Sequence, residues 1–439
     1  MCRKIWMVCV MTIILFSARG TESQVMENEI SERVDYRLVR EQMFKEPIVD
    51  VAFGVSLGKA QKIYPKVVVK EEEVEFYDED FNLVSTHKCL PNWFGVTFSK
   101  NANYIVVSTS TVLPTKETVG KRRLEILNDK GKKIWEKEVA WEYDQCVPEV
   151  FISDKGSMVE SDYERGILNF YDRSGNLIRK VKPFGDVEID NGRDFKCSFS
   201  DDGRYFAMVA CEHGPRLRAK IPSETTHPKT QKEIEHLRKE IAYLRATKGV
   251  RTNPWVILFD NSGKELWRHP LNDDYGGEVA ISPHGKYIIA SHYNFRGVPG
   301  ERPVLTAKTI LFKDDGTVIE EYNLLAYPIA FSPNDNYVAF SGKHQQKKWF
   351  GLVDCKTGNL LWEHKGLVSD ISVSSNGAVL IKRGSELILY GVNGKPVWQK
   401  SFPQGEEIGK RKRSTIIVTP DGANITTAFK KQFLYYKVR

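Results

Sequence analysis

The chain has 439 residues, 41% of them apolar and 28% charged, with a formal net charge of +7. That balance fits a globular chain with a sizeable core; it excludes a disordered polar tail and a polycation drawn to nucleic acid. Beyond the first twenty residues no apolar run suggests a membrane span.

At the N-terminus, Arg3 and Lys4 precede an apolar run from Ile5 to Phe16 and the small-residue stretch Ser17 to Gly20. This pattern predicts a signal peptide over residues 1–20, with an uncleaved anchor and a buried helix as the alternatives. Cleavage would remove Arg3, Lys4 and Arg19 and lower the formal charge from +7 to +4. The expectation is an exported protein, periplasmic, cell-surface or secreted. Residues 21–33 are polar, and Val34 to Arg40 then alternates like a strand.

From there the sequence repeats. One series of turns reads SKNANY (99–104), SDKGSM (153–158), SDDGRY (200–205), SPHGKY (282–287), SPNDNY (332–337), SSNGAV (374–379) and TPDGAN (419–424). A second, interleaved series includes NDKGKKIW, YDRSGNLI, FDNSGKELW, DCKTGNLLW and GVNGKPVW. Asp, Asn and Gly occupy such turns because they tolerate positive φ or bond their own backbone. The flanking Val, Ile, Phe and Tyr alternate as short strands do. Four strands per repeat, a to d, make one blade of an all-β propeller whose blades are antiparallel sheets. Blades are expected to begin near Val49, Gly95, Glu149, Lys196, Glu278, Pro328, Ser369 and Thr415, eight in all, or seven if Val49 to Val55 is not a strand. The final repeat ends without a strand d, a place that the strand near Val34 can fill, because an open ring leaves a sheet edge unpaired.

Four c-d hairpins place tryptophan four residues after glycine: Gly131 and Trp135, Gly263 and Trp267, Gly358 and Trp362, Gly394 and Trp398. The string from Asp354 to Trp362 resembles the tryptophan-docking motif of PQQ-like repeats, in which the indole wedges between blades. The a-b turns are similar to those of WD40-like and TolB-like repeats. The resemblance implies a propeller and no particular activity. The quinoprotein dehydrogenases of that family carry a vicinal cysteine pair over their cofactor, and here no two cysteines are adjacent. The resemblance therefore implies architecture without the redox cofactor, as in the scaffolding propellers of outer-membrane assembly lipoproteins; no cofactor and no metal is expected. The lipidated cysteine of those lipoproteins has no counterpart, since the first cysteine after residue 20 is Cys89.

Cys89 and Cys146 each stand two residues before a proline at the entry to a blade. Export would permit a disulfide between them, with buried free thiols as the alternative. Elaboration gathers at the b-c and d-a connections: Thr111 to Lys121, His213 to Asn253, Asn294 to Ala307 and Pro403 to Arg413. Loops held by rigid blades are where recognition is expected. The largest insertion, 213–253, carries Ile234, Leu237, Ile241 and Leu244 at helical spacing between Pro228 and Gly249. That stripe predicts one helix, either folded onto the propeller or protruding to meet a partner or a second copy. Trp93, Trp141 and Tyr275 at the loop mouths are candidate contacts, some of which belong instead to packing between blades. The tetrad Lys410, Arg411, Lys412 and Arg413 is a candidate for anionic lipid, a wall polyanion or an acidic protein, or is a hydrated loop. Asp186, Glu188, Asp190 and Asp194 faintly resemble a calcium loop but lack its closing glutamate. Asn424 begins a glycosylation sequon. No set of residues is spaced as a catalytic triad, nucleophile elbow or phosphate loop. Two classes of function follow: a non-catalytic exported scaffold that binds a protein or other macromolecule through the loop-rich rim, or a hydrolase, lyase or quinoprotein-like enzyme with its site in the central funnel.

Overall fold

The computed structural model describes residues 36–43, 50–55, 63–70, 73–89, 93–112, 120–141, 149–162, 166–185, 196–212, 253–271, 275–296, 304–344, 347–402, 416–429 and 432–438. They form 32 strands in eight four-stranded antiparallel sheets. Blades 1 to 7 run Asp50–Lys88, Trp93–Trp141, Glu149–Val181, Lys196–Pro270, Tyr275–Tyr322, Leu325–Lys365 and Asp370–Ser401. In each, the strands follow one another in chain order, a to d. Asp50–Val55 is a strand, so the count is eight and not seven.

Blade 8 is assembled from both ends of this ring. Ile416–Val418, Asn424–Phe429 and Gln432–Val438 supply strands a, b and c, and Tyr36–Met43 supplies d. The pairing runs antiparallel from Tyr36 opposite Val438 to Met43 opposite Gln432.

Strands b and c, the middle two of each sheet, are buried on both faces over most of their described length, which is why they read as near-continuous apolar runs instead of alternating with polar residues. Along strand b of blade 2, Ile105 and Val107 pack against blade 1 while Val106 packs against blade 3. The core is accordingly divided into eight hydrophobic clusters, each filling the seam between two neighbouring blades. Phe170, Leu168 and Val159 of blade 3 meet Phe206, Met208 and Phe259 of blade 4. The seam that closes the circle sets Phe433 and Tyr435 of blade 8 against Val51, Phe53 and Tyr77 of blade 1. Each fully buried side chain of this size contributes about 1.5–3 kcal/mol.

The tryptophans of strand d fill the outer part of four seams. Gly175 of blade 3 has φ +80°, and a Cβ there would fall inside the Trp135 indole of blade 2. At Gly394 of blade 7, φ +77°, a Cβ would lie 2.7 Å from Trp362 of blade 6. Trp267 of blade 4 covers Phe312 of blade 5 and donates its Nε1–H to the Asp314 carbonyl at 2.7 Å. Trp398 of blade 7 packs on Tyr436 of blade 8, with ring centroids 5.3 Å apart. Each indole thus reaches the following blade, and the glycine of the next c-d turn makes room for three of them.

Candidate functional site

The two ends of the ring differ in kind. At the a-b and c-d end the turns are short, apart from the a-b connection of blade 1 between Val55 and Ile63. Ser99, Ser153, Ser200, Ser282, Ser332, Ser374 and Thr419 head the a-b turns, and all are buried. Each hydroxyl accepts a backbone N–H from the far side of its own turn, as Tyr337 donates to Ser332 at 2.9 Å and Asn424 to Thr419 at 2.9 Å. That is the physical reason for Ser or Thr at this position.

Neighbouring turns are tied to one another. Lys66 of blade 1 donates to Asn103 Oδ1 at 2.8 Å, and Asn101 Nδ2 donates to Asp154 Oδ2 of blade 3 at 2.7 Å. Lys100 of blade 2 reaches past blade 3 to Asp201 of blade 4 at 2.7 Å. Arg204 donates to the His284 carbonyl at 2.9 Å, and His284 Nδ1 lies 3.0 Å from buried Asp335 of blade 6. Asn334 donates to the Ser375 carbonyl at 2.9 Å, and Ser375 N–H to the Pro420 carbonyl at 2.7 Å. Burial raises the Asp201 carboxyl above the usual range; Lys100 opposes that shift, and Asp154 and Asp335 add to it. Its neighbour Asp202 goes the other way, because hydrogen bonds from Arg204 and Ser200 outweigh its burial. These groups bond one another and tie the turns of successive blades together.

Toward the b-c and d-a end, the strand a position four residues before the serine of the a-b turn carries Gly95, Glu149, Lys196, Glu278, Pro328 and Asp370 in blades 2 to 7, and strand a of blade 1 begins at Asp50. Carboxylates therefore occupy alternate blades, 1, 3, 5 and 7, around the axis. Asp50 and Asp370 are buried and accept the N–H of the next residue, Val51 and Ile371, each at 2.9 Å. Among the described residues no three acidic, His or Cys side chains lie close enough to hold a metal ion.

Between Glu278 and Asp370, at the entry to blade 6, stands Tyr327. Burial raises the pKa of its hydroxyl, and the charges that raise it further are Glu278 and Asp370. The alternate carboxylates could have been found in the sequence by aligning the inner strands.

Polar groups also occupy two seams. Between blades 2 and 3, Glu160 accepts from Lys137 Nζ at 3.1 Å and Tyr171 Oη at 2.7 Å, and buried Arg122 donates to Ser108. Burial pulls Arg122 down to about 10 against the pull of Glu160 and Glu149. In blade 1, Lys70 donates to Glu75 at 2.6 Å and to Glu73 at 2.9 Å, while Tyr77 donates to Glu75 at 2.8 Å. A charged residue inside an apolar run, as in RLEIL and MVESD, was the signal that sequence reasoning passed over.

The backbone places Trp93 and Tyr275 at the first residue of strand a in blades 2 and 5, and Trp141 at the last residue of strand d in blade 2. All three are at the b-c and d-a end, and their side chains lie outside what is described. Ile234, Leu237, Ile241 and Leu244, the tetrad Lys410 to Arg413, the acidic stretch 186–194, the leader and Cys146 lie outside the described residues. Cys89 is buried in the seam between blades 1 and 2, and burial pushes its thiol up to about 11. Asn424 is buried and accepts from Tyr435 Oη at 2.8 Å, so the folded chain does not offer the sequon for glycosylation.

These features define an eight-bladed β-propeller. No family model matches the chain, and no curated protein matches it by sequence. Among solved structures it is similar to the Dos1 propeller, with TM-score 0.53 and 8% identity over 92% of this chain and 95% of that one. It is also similar to the C-terminal WD40 domain of Sif2, with TM-score 0.46 and 10% identity over 93% and 99% of the two chains. Identities this low speak to the fold alone. Among the described residues no helix is long and apolar enough to cross a membrane.

Proposed function

We propose that this chain is a non-catalytic, exported propeller that binds another protein through its b-c and d-a end. The observation that carries the reading is the contrast between the two ends. The three widest strand-to-strand intervals, Glu212 to Asn253, Val181 to Lys196 and Ser401 to Ile416, all belong to one end. At the opposite end, polar residues of the a-b turns bond neighbouring turns. Rigid blades hold the elaborated end still, and aromatic anchors such as Trp93, Trp141 and Tyr275 at its strand ends supply area for a contact. Export is supported by the leader pattern of residues 1–20 alone.

A photo-crosslinking residue at positions 93, 141 and 275, compared with positions 361 and 392 at the other end, tests this. Adducts from the first set only are expected, from protein in the exported fraction. Equal labelling from both ends, or none, overturns the reading. The four carboxylates at the mouth favour the enzyme as a second reading. Turnover of a sugar, lactone or ester that is lost in Glu149→Gln or Glu278→Gln would establish it in place of the scaffold.

A further inference from the structure

The b-c hairpin of blade 6 carries Lys343 and His344 on strand b and Lys347 and Lys348 on strand c, and between Asp335 and Asp354 the chain holds three lysines and no acidic residue. The register sets like against like: Lys343 is directly opposite Lys348, and His344 is opposite Lys347. Directly opposed side chains share a face of the sheet, where like charges are destabilising. Lys365 ends the adjoining strand Leu360–Lys365, and the next residue, Gly366, donates its N–H to the Lys348 carbonyl at 2.8 Å. Lys343, Lys348 and Lys365 are exposed, and among the described residues none of them has a carboxylate partner. Elsewhere such cations are matched: Lys70 by Glu73 and Glu75, Lys121 by Glu138, Lys308 by Glu321 and Arg383 by Glu386. A Cβ on Gly366, at φ +124°, would meet no described atom within 4 Å, and beyond it Leu367 is 40% exposed.

We propose that this corner of blade 6, with Lys343, Lys348, Lys365 and Leu367, takes an acidic segment of the partner protein, glutamate or aspartate with an aliphatic residue beside it. The inference rests on the scaffold reading above and narrows it to one blade and one chemistry. Charge complementarity chooses the occupant. On blade 7, Glu386 accepts from Arg383 and Gln399, while Asp370 is buried, bonded to the Ile371 N–H and directly cross-strand from Lys382. Glu278 is on a strand a, whereas the three exposed lysines are on strands b, c and d. Glu363, exposed on the same strand as Lys365, is one counter-charge against those three. A bound carboxylate relieves the repulsion between Lys343 and Lys348, so a pairing that costs stability in the free chain favours the complex. A flat anionic membrane would also meet the exposed Glu149 at this end, which a narrow segment along one blade avoids. An aliphatic foothold such as Leu367 suits a peptide better than a nucleic acid, whose bases take aromatic stacking partners.

The probe is a short fluorescein-labelled peptide of alternating glutamate and leucine, read by anisotropy on the full chain, against a lysine and leucine counterpart. Lys348→Glu is expected to raise Kd about tenfold, the equivalent of 1.4 kcal/mol, and to flatten its salt dependence. Because that variant turns a repelling cross-strand pair into an attracting one, it is expected to melt no lower than the parent. Lys356→Glu makes the same charge change on the c-d turn of blade 6, at the other end, and leaves Kd unchanged. Leu367→Ser is expected to raise Kd about threefold, a smaller effect than the loss of a charge. Equal Kd in Lys348→Glu and the parent, an equal rise in Lys356→Glu, or equal binding of the lysine peptide overturns the proposal. Should Lys348→Glu melt early, Lys365→Glu carries the same test. Tighter binding of phosphatidylserine vesicles or of a single-stranded oligonucleotide, lost in Lys348→Glu, assigns the corner to another anion and overturns it too. If the glutamate peptide fails while crosslinks from positions 93, 141 and 275 persist, this inference falls and the scaffold reading stands. If both fail, both fall.

Discussion

Two seams of the same ring are held together by different physics. Between blades 2 and 3 a buried carboxylate, Glu160, is shared by Lys137, Tyr171 and Asn169, with Arg122 buried nearby. Between blades 6 and 7 the same region is aromatic: Trp362 stacks on Tyr390 with centroids 5.6 Å apart, and His364 Nε2–H donates to the Gly394 carbonyl at 2.8 Å. Both solutions fill one wedge-shaped gap. The aromatic seam tolerates loss of contact area gradually, whereas the ionic seam is all or nothing, because removing one partner strands buried charge.

The sharpest way to break that contrast is Glu160→Ala, which leaves Lys137, Tyr171 and Asn169 without the carboxylate they share. A loss of about 3–5 kcal/mol is expected by denaturant unfolding. Trp362→Ala, in the aromatic seam, is expected to cost about 3 kcal/mol by the same measurement. Third in size is Gly175→Ala, which puts a Cβ where the Trp135 indole lies and forces φ +80° on an L residue. About 2 kcal/mol is expected, and Gly175→Ala in a Trp135→Ala background should recover the steric part.

A finer comparison uses the indole nitrogens. Trp267 Nε1–H donates to the Asp314 carbonyl, and the buried Nε1 of Trp362 has no acceptor among the described residues. Replacement by phenylalanine should cost about 1 kcal/mol more at position 267 than at 362.

The smallest effect is the pH response of the adjacent carboxyls in the a-b turn of blade 4. Asp201 has its pKa raised by burial, so its stabilising contribution is present below the ordinary aspartate range and is lost as pH rises through the folded value. Asp202 is lowered, so its contribution is present above the ordinary range and is lost as pH falls through the folded value. Thermal melts from acid to neutral pH should show Asp201→Asn gaining relative to the parent as pH rises, and Asp202→Asn losing.

The blade repeat was legible because turn chemistry is local. A Ser or Thr that must cap its own turn, and a Gly that must adopt positive φ, leave their mark at fixed offsets, as at Ser332 and Gly394. The tryptophan spacing was legible for the same reason, since three of the four indoles need the glycine of the next turn. What stayed hidden depends on which residues the ring brings side by side. Glu278, Tyr327 and Asp370 are far apart in sequence and converge only because strands a of blades 5, 6 and 7 are neighbours around the axis. Arg122 and Glu160 likewise belong to different blades, and nothing local to either announces the other.

Tyr36–Met43 is paired with Gln432–Val438, the two strands most distant along the described chain. Bringing them together requires nearly every intervening blade to be in place, because the loop being closed spans almost the whole ring and its entropy is recovered only at the last step. A chain delivered from its N-terminal end must hold that first strand in waiting until the final three are made. During this interval the edge of Gln432–Val438 is an open template, so shielding of nascent edges governs yield more than the strength of any single seam does.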